Sequence, residues 1–331
     1  MKPLIILFLL LLPALVWGQE KPSLRHEDRV RIAEAFRLAE HIGNDVWENW
    51  DNAPFAFLLV TPDYEYLLRH PNPSDDFLPL GYDELLKSEV HYRKRVYSPQ
   101  LLATFPAVNG YSTIVIGQAE NTMAKSSTPW VAVALHEHFH QLQYSQPGYY
   151  QGVDKLNLSR GEQSGMWMLN YPFHYDSAVV TAAFSKLCLQ LASALKALGS
   201  ASFKGEVDRY LDARREFKNL LKENDYRYFS FQLWQEGISR YTEYRVASLA
   251  SEGYVPSNEF QKLPDFTPFD IVAANLRKGI VDILPTVNLA KSRRSAFYPF
   301  GAAEGLLLDA VNPRWQEEYF QEKFYLERYF R

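Results

Sequence analysis

Apolar and polar positions change rhythm about halfway along the chain. Over residues 27–42, apolar positions recur at helical spacing (Val30, Ala33, Phe36, Leu38), which predicts a surface helix. The run 55–60 is short and apolar and closes on Thr61-Pro62-Asp63, so it predicts a buried strand and a turn. A second strand is expected at 111–116, between Gly110 and Gly117, and a third at 95–97. Beyond residue 150, helical patterns follow at 177–198, 204–223, 227–250, 268–279, 300–311 and 313–329, and only 282–287 reads as extended. The expected fold is α+β. A sheet-bearing subdomain over 19–150, with a small mixed sheet, precedes a mainly helical subdomain over 151–331, and the two close on one cleft.

The first 18 residues carry another signal. Lys2, an apolar run over 4–12, Pro13, and Val16-Trp17-Gly18 ahead of Gln19 have the layout of a cleaved secretory signal peptide. That run is too short for an ordinary membrane span, and no other stretch is expected to cross. The mature chain is therefore expected to be secreted or periplasmic. Cys188 is the only cysteine and sits in an apolar run, which predicts a buried inert thiol. Thiol catalysis, an internal disulfide and a cysteine-based zinc site are thereby excluded. A net charge of −4 over 331 residues gives no basic field for nucleic acid. Oligomeric state has no signature in the sequence.

The chemistry concentrates in His136-Glu137-His138-Phe139-His140, an H-E-x-x-H string expected by chance in only about 0.01 chains of this composition. Thr128-Pro129 supplies a helix start, and Val131, Leu135, Phe139 and Leu142 form an apolar stripe at helical spacing. On a helix, His136 and His140 fall about 40° apart and can share one metal, whereas His138 points about 160° away. Glu137 then stands beside the metal as a general base. In a strand, His136, His138 and His140 would instead share one face; the proline start and the stripe favour the helix.

A catalytic zinc site needs a third protein ligand and one open position. Glu236, within Leu233-Trp234-Gln235-Glu236-Gly237 on an expected long helix, is the first candidate; Glu162 and Asp176 are weaker ones. Arg240 and Glu243 follow Glu236 on the same helical face, where they can orient the site or read substrate. The aromatic run 165–175 can line or cap a pocket and holds His174, a candidate donor to a reaction intermediate. Tyr298, at an expected helix start, is a candidate oxyanion stabiliser, with Tyr241 and Tyr244 as competitors.

H-E-x-x-H followed by a glutamate on a later helix resembles the gluzincin zinc metallopeptidases. Trp234-Gln235-Glu236-Gly237 is similar to the W-x-x-E-G element of the aminopeptidase N-like family, in which that glutamate binds zinc. Gly117-Gln118-Ala119-Glu120-Asn121 resembles the same family's G-x-M-E-N element, with Ala119 in the methionine position. The resemblance implies a zincin-like fold, a Zn²⁺ cofactor and a peptide or protein substrate. It also implies a cleft-lining edge strand at 111–116 and an amine-reading role for Glu120. The expected function is peptide-bond hydrolysis by Glu-assisted attack of zinc-bound water, with an aminopeptidase as one candidate form. The alternatives are zinc-dependent hydrolysis of a non-peptide substrate and a non-enzymatic zinc-binding module.

Overall fold

A computed structural model describes residues 22–330; the expected leader at 1–18 lies outside them. Helix α1 (His26–Val46) precedes six strands: β1 (Phe57–Val60), β2 (Tyr64–Leu68), β3 (Leu78–Asp83), β4 (Ser88–Lys94), β5 (Leu102–Val108) and β6 (Tyr111–Gly117). Twelve helices follow. They are α2 (Ser127–Ser145), α3 (Tyr149–Leu156), α4 (Trp167–Asn170), α5 (Ala178–Lys196), α6 (Phe203–Leu220) and α7 (Glu223–Gln232). Then come α8 (Ile238–Gly253), α9 (Asn258–Gln261), α10 (Phe269–Val281), α11 (Leu289–Ser292), α12 (Phe297–Val311) and α13 (Trp315–Tyr319). The architecture is mixed α+β with a mostly helical second half.

The sheet order is β3-β4-β2-β1-β6-β5, antiparallel except where β1 runs parallel to β6. Alternation along the strands splits the core in two. Phe57, Leu59, Leu68, Ile114 and Ile116 face the helices, while Leu58, Val60, Leu67 and Val115 build a smaller cluster on the other face with Phe77 and Val108. This placement corrects two expectations. The strand at 111–117 is interior, with β1 on one side and β5 on the other, and the edge strand beside α2 is β5. Residues 95–97 are a loop tied down by the buried Glu65 carboxylate, whose Oε1 accepts from the Val96 backbone N–H at 2.8 Å. The sequence pattern also missed β2–β5, of which β3 and β5 are largely exposed or half-buried and are interrupted by Gly81 and Pro106.

In the helical half, 282–287 is not extended; it ends α10 and forms a 3₁₀ turn at Leu284–Thr286. The expected helix over 313–329 breaks into α13 and a 3₁₀ turn at Leu326–Tyr329. Helix α5 is long and apolar enough to cross a membrane by length and composition, contrary to the expectation that no stretch of the chain is. Here its face of Phe184, Leu187, Cys188 and Leu191 is buried in the core against α6 and α12. Burial pushes the Cys188 thiol well above its usual range, so it stays protonated.

Trp47 draws the halves together, and a second stack braces the helical half. Trp47 at the end of α1 stacks on Phe139 of α2 at 4.9 Å and donates its indole N–H to Thr242 Oγ1 of α8 at 2.8 Å. Trp234 lies flat on Tyr319 at 4.6 Å, so the C-terminal segment backs the turn between α7 and α8. Farther from the sheet, the buried Arg214 of α6 donates from Nε to Glu304 Oε1 of α12 at 2.8 Å, and the Tyr210 hydroxyl donates to the same oxygen. Truncating one partner of such a pair strands a buried charge. Glu304→Ala is therefore expected to lose about 3–5 kcal/mol in urea unfolding; a loss below about 1 kcal/mol would show that the pair does not pin α6 to α12.

Candidate metal centre

Helix α2 places His136, Glu137, His138 and His140 in the interior, each less than one-tenth exposed. The facing glutamate comes from a wide turn. Between α7 and α8 the chain forms one π-helical turn, Leu233–Gly237, in which the extra residue rotates Glu236 toward α2. Glu236 Oε2 stands 3.5 Å from His140 Nε2 and 4.0 Å from His136 Nε2. Ligand atoms of His136, His140 and Glu236 lie within 4.8 Å of one another.

The tautomer of His140 is assigned from the backbone. The side-chain amide of Gln143 donates from Nε2 to the carbonyls of Trp234 and Gln235, at 3.1 and 3.2 Å. Only the amide nitrogen can face two carbonyls, so Oε1 must face His140 Nδ1, at 2.7 Å. A proton on Nδ1 satisfies this bond and leaves the Nε2 lone pair toward Glu236, with Gln235 Nε2 also 2.9 Å from Nδ1. Gln235 completes the network, donating from Nε2 to Gln143 Oε1 at 3.0 Å and accepting from Tyr149 at 2.8 Å. Burial alone lowers the His140 pKa, but the Glu236 and Glu137 carboxylates outweigh it and leave the imidazole above its usual value. Burial likewise raises Glu236, yet His140, Arg294 and His136 hold it down to about 2.

His136 is oriented through α8. Its Nδ1 has no hydrogen bond, and Glu243 Oε2 stands 3.5 Å away. Arg240 fixes that carboxylate, donating from Nη1 to both oxygens at 2.6 and 2.7 Å. The structure thus places Arg240 behind His136, acting through Glu243. Glu137 is held from the edge strand, where Thr104 Oγ1 on β5 lies 2.8 Å from Glu137 Oε2. His138 is packed flat on Phe55 at 3.7 Å and bonds Gln141 from Nδ1; burial lowers its pKa to about 3. It is a neutral core histidine, which removes the strand alternative for the motif.

The remaining expected residues divide. Tyr298 opens α12 beside the site, and its hydroxyl oxygen accepts from Arg294 Nη1 at 2.6 Å. Glu120 does not reach the cluster. It lies in a turn beyond the C-terminal end of β6, its carboxylate 2.7 Å from Arg25. His174 is also elsewhere, half-exposed and 3.4 Å from Asp225, which lies eleven residues upstream of Glu236 along α7. Glu162 is hydrogen-bonded within its own loop, and Asp176 pairs with Arg293. A hollow lined by Tyr64, Asp76, Leu78, Tyr92 and Arg93 lies toward the opposite edge of the sheet from β5. Sequence reasoning missed Thr104, Gln143 and Arg294. Gln143 alone had a local signal, since it is three residues from His140 on the same helix.

Two imidazole nitrogens and one carboxylate oxygen are a donor set suited to zinc. The fit is also visible in the electrostatics. His140 is poised to bind a proton against Glu236, and a divalent cation can replace that proton in the same place. Among the described residues, no other cluster of this kind is present. No family model, curated protein or solved structure matches the chain.

The π turn is held by a backbone crossing. A Cβ on Gly301 of α12 would stand 2.7 Å from Gly237 Cα and 3.0 Å from the Leu233 carbonyl oxygen. Gly301→Ala must therefore displace the turn that carries Glu236. Its expected effect is zinc binding weakened about 10- to 100-fold in a chelator competition, with the fold retained. Unchanged affinity would show that Glu236 is not the ligand the crossing positions.

Proposed function

We propose that this chain is a zinc metallopeptidase of gluzincin type with a zincin-like site, working outside the cytoplasm after export. One observation carries the reading. A base, Glu137, and a two-histidine, one-glutamate cluster meet at a sheet edge whose own residue, Thr104, holds that base. A structural zinc site has no use for a buried carboxylate next to its ligands, and an open edge strand favours an extended peptide as substrate.

His136, His140 and Glu236 would hold Zn²⁺, which when bound polarises the scissile carbonyl and makes water acidic enough to attack near neutral pH. Thr104 donates to Glu137 Oε2 and so leaves Oε1 to accept the proton of the attacking water. Glu137 then passes that proton to the leaving nitrogen. Burial and the Glu236 charge push the Tyr298 hydroxyl well above its usual pKa, so it remains a hydrogen-bond donor. Its oxygen accepts from Arg294 and its proton is shared with Glu236, so in the reaction that proton would turn from Glu236 to the oxyanion of the tetrahedral intermediate. The peptide backbone pairs with the outer side of β5, which has no strand partner among the described residues. Glu120, paired with Arg25 away from the cluster, takes no part, and the reading therefore does not extend to an aminopeptidase.

Glu137→Gln is the test of this chemistry. Wild-type protein is expected to cleave members of a peptide library and to stop when a chelator removes zinc. The variant is expected to keep one zinc per chain and lose about 10²- to 10⁴-fold in kcat. Cleavage by the variant at the wild-type rate would end the peptidase reading.

A further inference from the structure

Arg294 carries more donors than the site uses. The guanidinium has five N–H groups, two on each terminal nitrogen and one on Nε. All its bonds leave from Nη1. That atom lies 2.6 Å from Tyr298 Oη, 3.2 Å from Glu236 Oε1 and 3.5 Å from Gln232 Oε1. Gln232 is itself fixed, because its Nε2 donates to the Met168 carbonyl at 2.9 Å. Acceptors from α7, the π turn and α12 therefore pin one edge of the group. The opposite edge, Nε and Nη2, has no partner among the described residues and is not sealed from solvent; the side chain is 23% exposed. That edge is the planar fork that grips a carboxylate through two parallel bonds.

The surroundings favour an anion there. The Tyr175 hydroxyl is buried beside Tyr228 and feels the charges of Arg294 and Arg293. Around the cluster, the carboxylates of Glu137, Glu236 and Glu243 outnumber the guanidinium groups of Arg240 and Arg294 by one. A divalent cation held by His136, His140 and Glu236 reverses that balance to one positive charge. The loaded site then attracts a negative group, and the unbonded Nε–Nη2 edge of Arg294 belongs to the same guanidinium that touches Glu236 through Nη1.

We propose that Arg294 is a specificity-determining residue that binds a substrate carboxylate beside the scissile bond, through Nε and Nη2. The inference rests on the peptidase reading for its reaction but not for its recognition. The carboxylate can come from an acidic side chain or from a free chain terminus. Both offer the same two oxygens.

The test uses zinc-loaded full-length chain and alanine-based hexapeptides with one position at a time as Glu, Gln or Lys, each with a free or amidated C-terminus. Wild type is expected to favour Glu over Gln by about 10- to 100-fold in kcat/KM, mostly through KM, if a side chain is read. The same ratio between free and amidated peptides identifies the terminus instead. Arg294→Gln should erase the preference while keeping one zinc per chain, and Arg294→Lys should keep zinc and recover only part of it. Calorimetry with the Glu137→Gln protein provides a second readout, in which the carboxylate peptides should bind at least tenfold more tightly. The proposal is overturned if neither carboxylate is preferred, or if Arg294→Gln keeps the preference. It is also overturned if Arg294→Gln loses zinc while Arg294→Lys, with zinc retained, has the full wild-type preference, because the charge alone then suffices. Failure of the peptidase reading looks different, as no peptide would be cleaved while calorimetry still reports the carboxylate preference.

Discussion

The site depends on one amide. Gln143 on α2 is caught between two backbone carbonyls of the π turn, and this capture fixes both partners at once. It sets the distance between the helix that carries the histidines and the turn that carries Glu236. It also favours the tautomer in which Nε2 of His140 keeps a lone pair. A regular α-helix through 233–237 would spend its carbonyls on its own ladder; the widened turn lets Trp234 and Gln235 share theirs with a neighbouring helix. The turn is thus a local defect in helical bonding that becomes a tertiary joint.

Everything around the joint keeps it from drifting. Trp234 and Tyr319 stack behind it, and the Tyr319 hydroxyl donates to the same Trp234 carbonyl at 2.6 Å. Gly237 and Gly301 let α12 approach at backbone distance from the other side, which places Tyr298 and Arg294 next to Glu236. On the sheet side, Thr104 of the edge strand holds Glu137. Three carboxylates in a nearly dry site would repel one another if each lacked a partner. Each has one: His140 and Arg294 for Glu236, Arg240 for Glu243, and the Thr104 hydroxyl for Glu137.

What the sequence made legible follows the range of the interactions. The H-E-x-x-H helix is readable because two ligands, the base and the apolar stripe are all set by one local period. Glu236 was found from its helical context, although its geometry depends on a π turn that residue periodicity does not encode. The strands at 57–60 and 111–117 stood out as buried apolar runs, but strand order is set by pairing between distant segments, so the edge was assigned to the wrong strand. Strands β3 and β5 were invisible because their outward faces are polar or exposed and Gly81 and Pro106 interrupt the alternation. Thr104 and Arg294 belong to no motif and matter only because the fold brings β5 and the 3₁₀ turn before α12 to the ligand cluster. Glu120 shows the converse, since a short string can look like a binding element while its carboxylate is bound to a neighbouring arginine.

The most direct measurement is anomalous diffraction at the zinc absorption edge from crystals of the full chain grown with zinc. The account predicts one strong peak, about 2.0–2.2 Å from His136 Nε2, His140 Nε2 and a Glu236 oxygen, with Gln143 still bonded to His140 Nδ1. No peak at that position, or a peak whose ligands do not include Glu236, would contradict it.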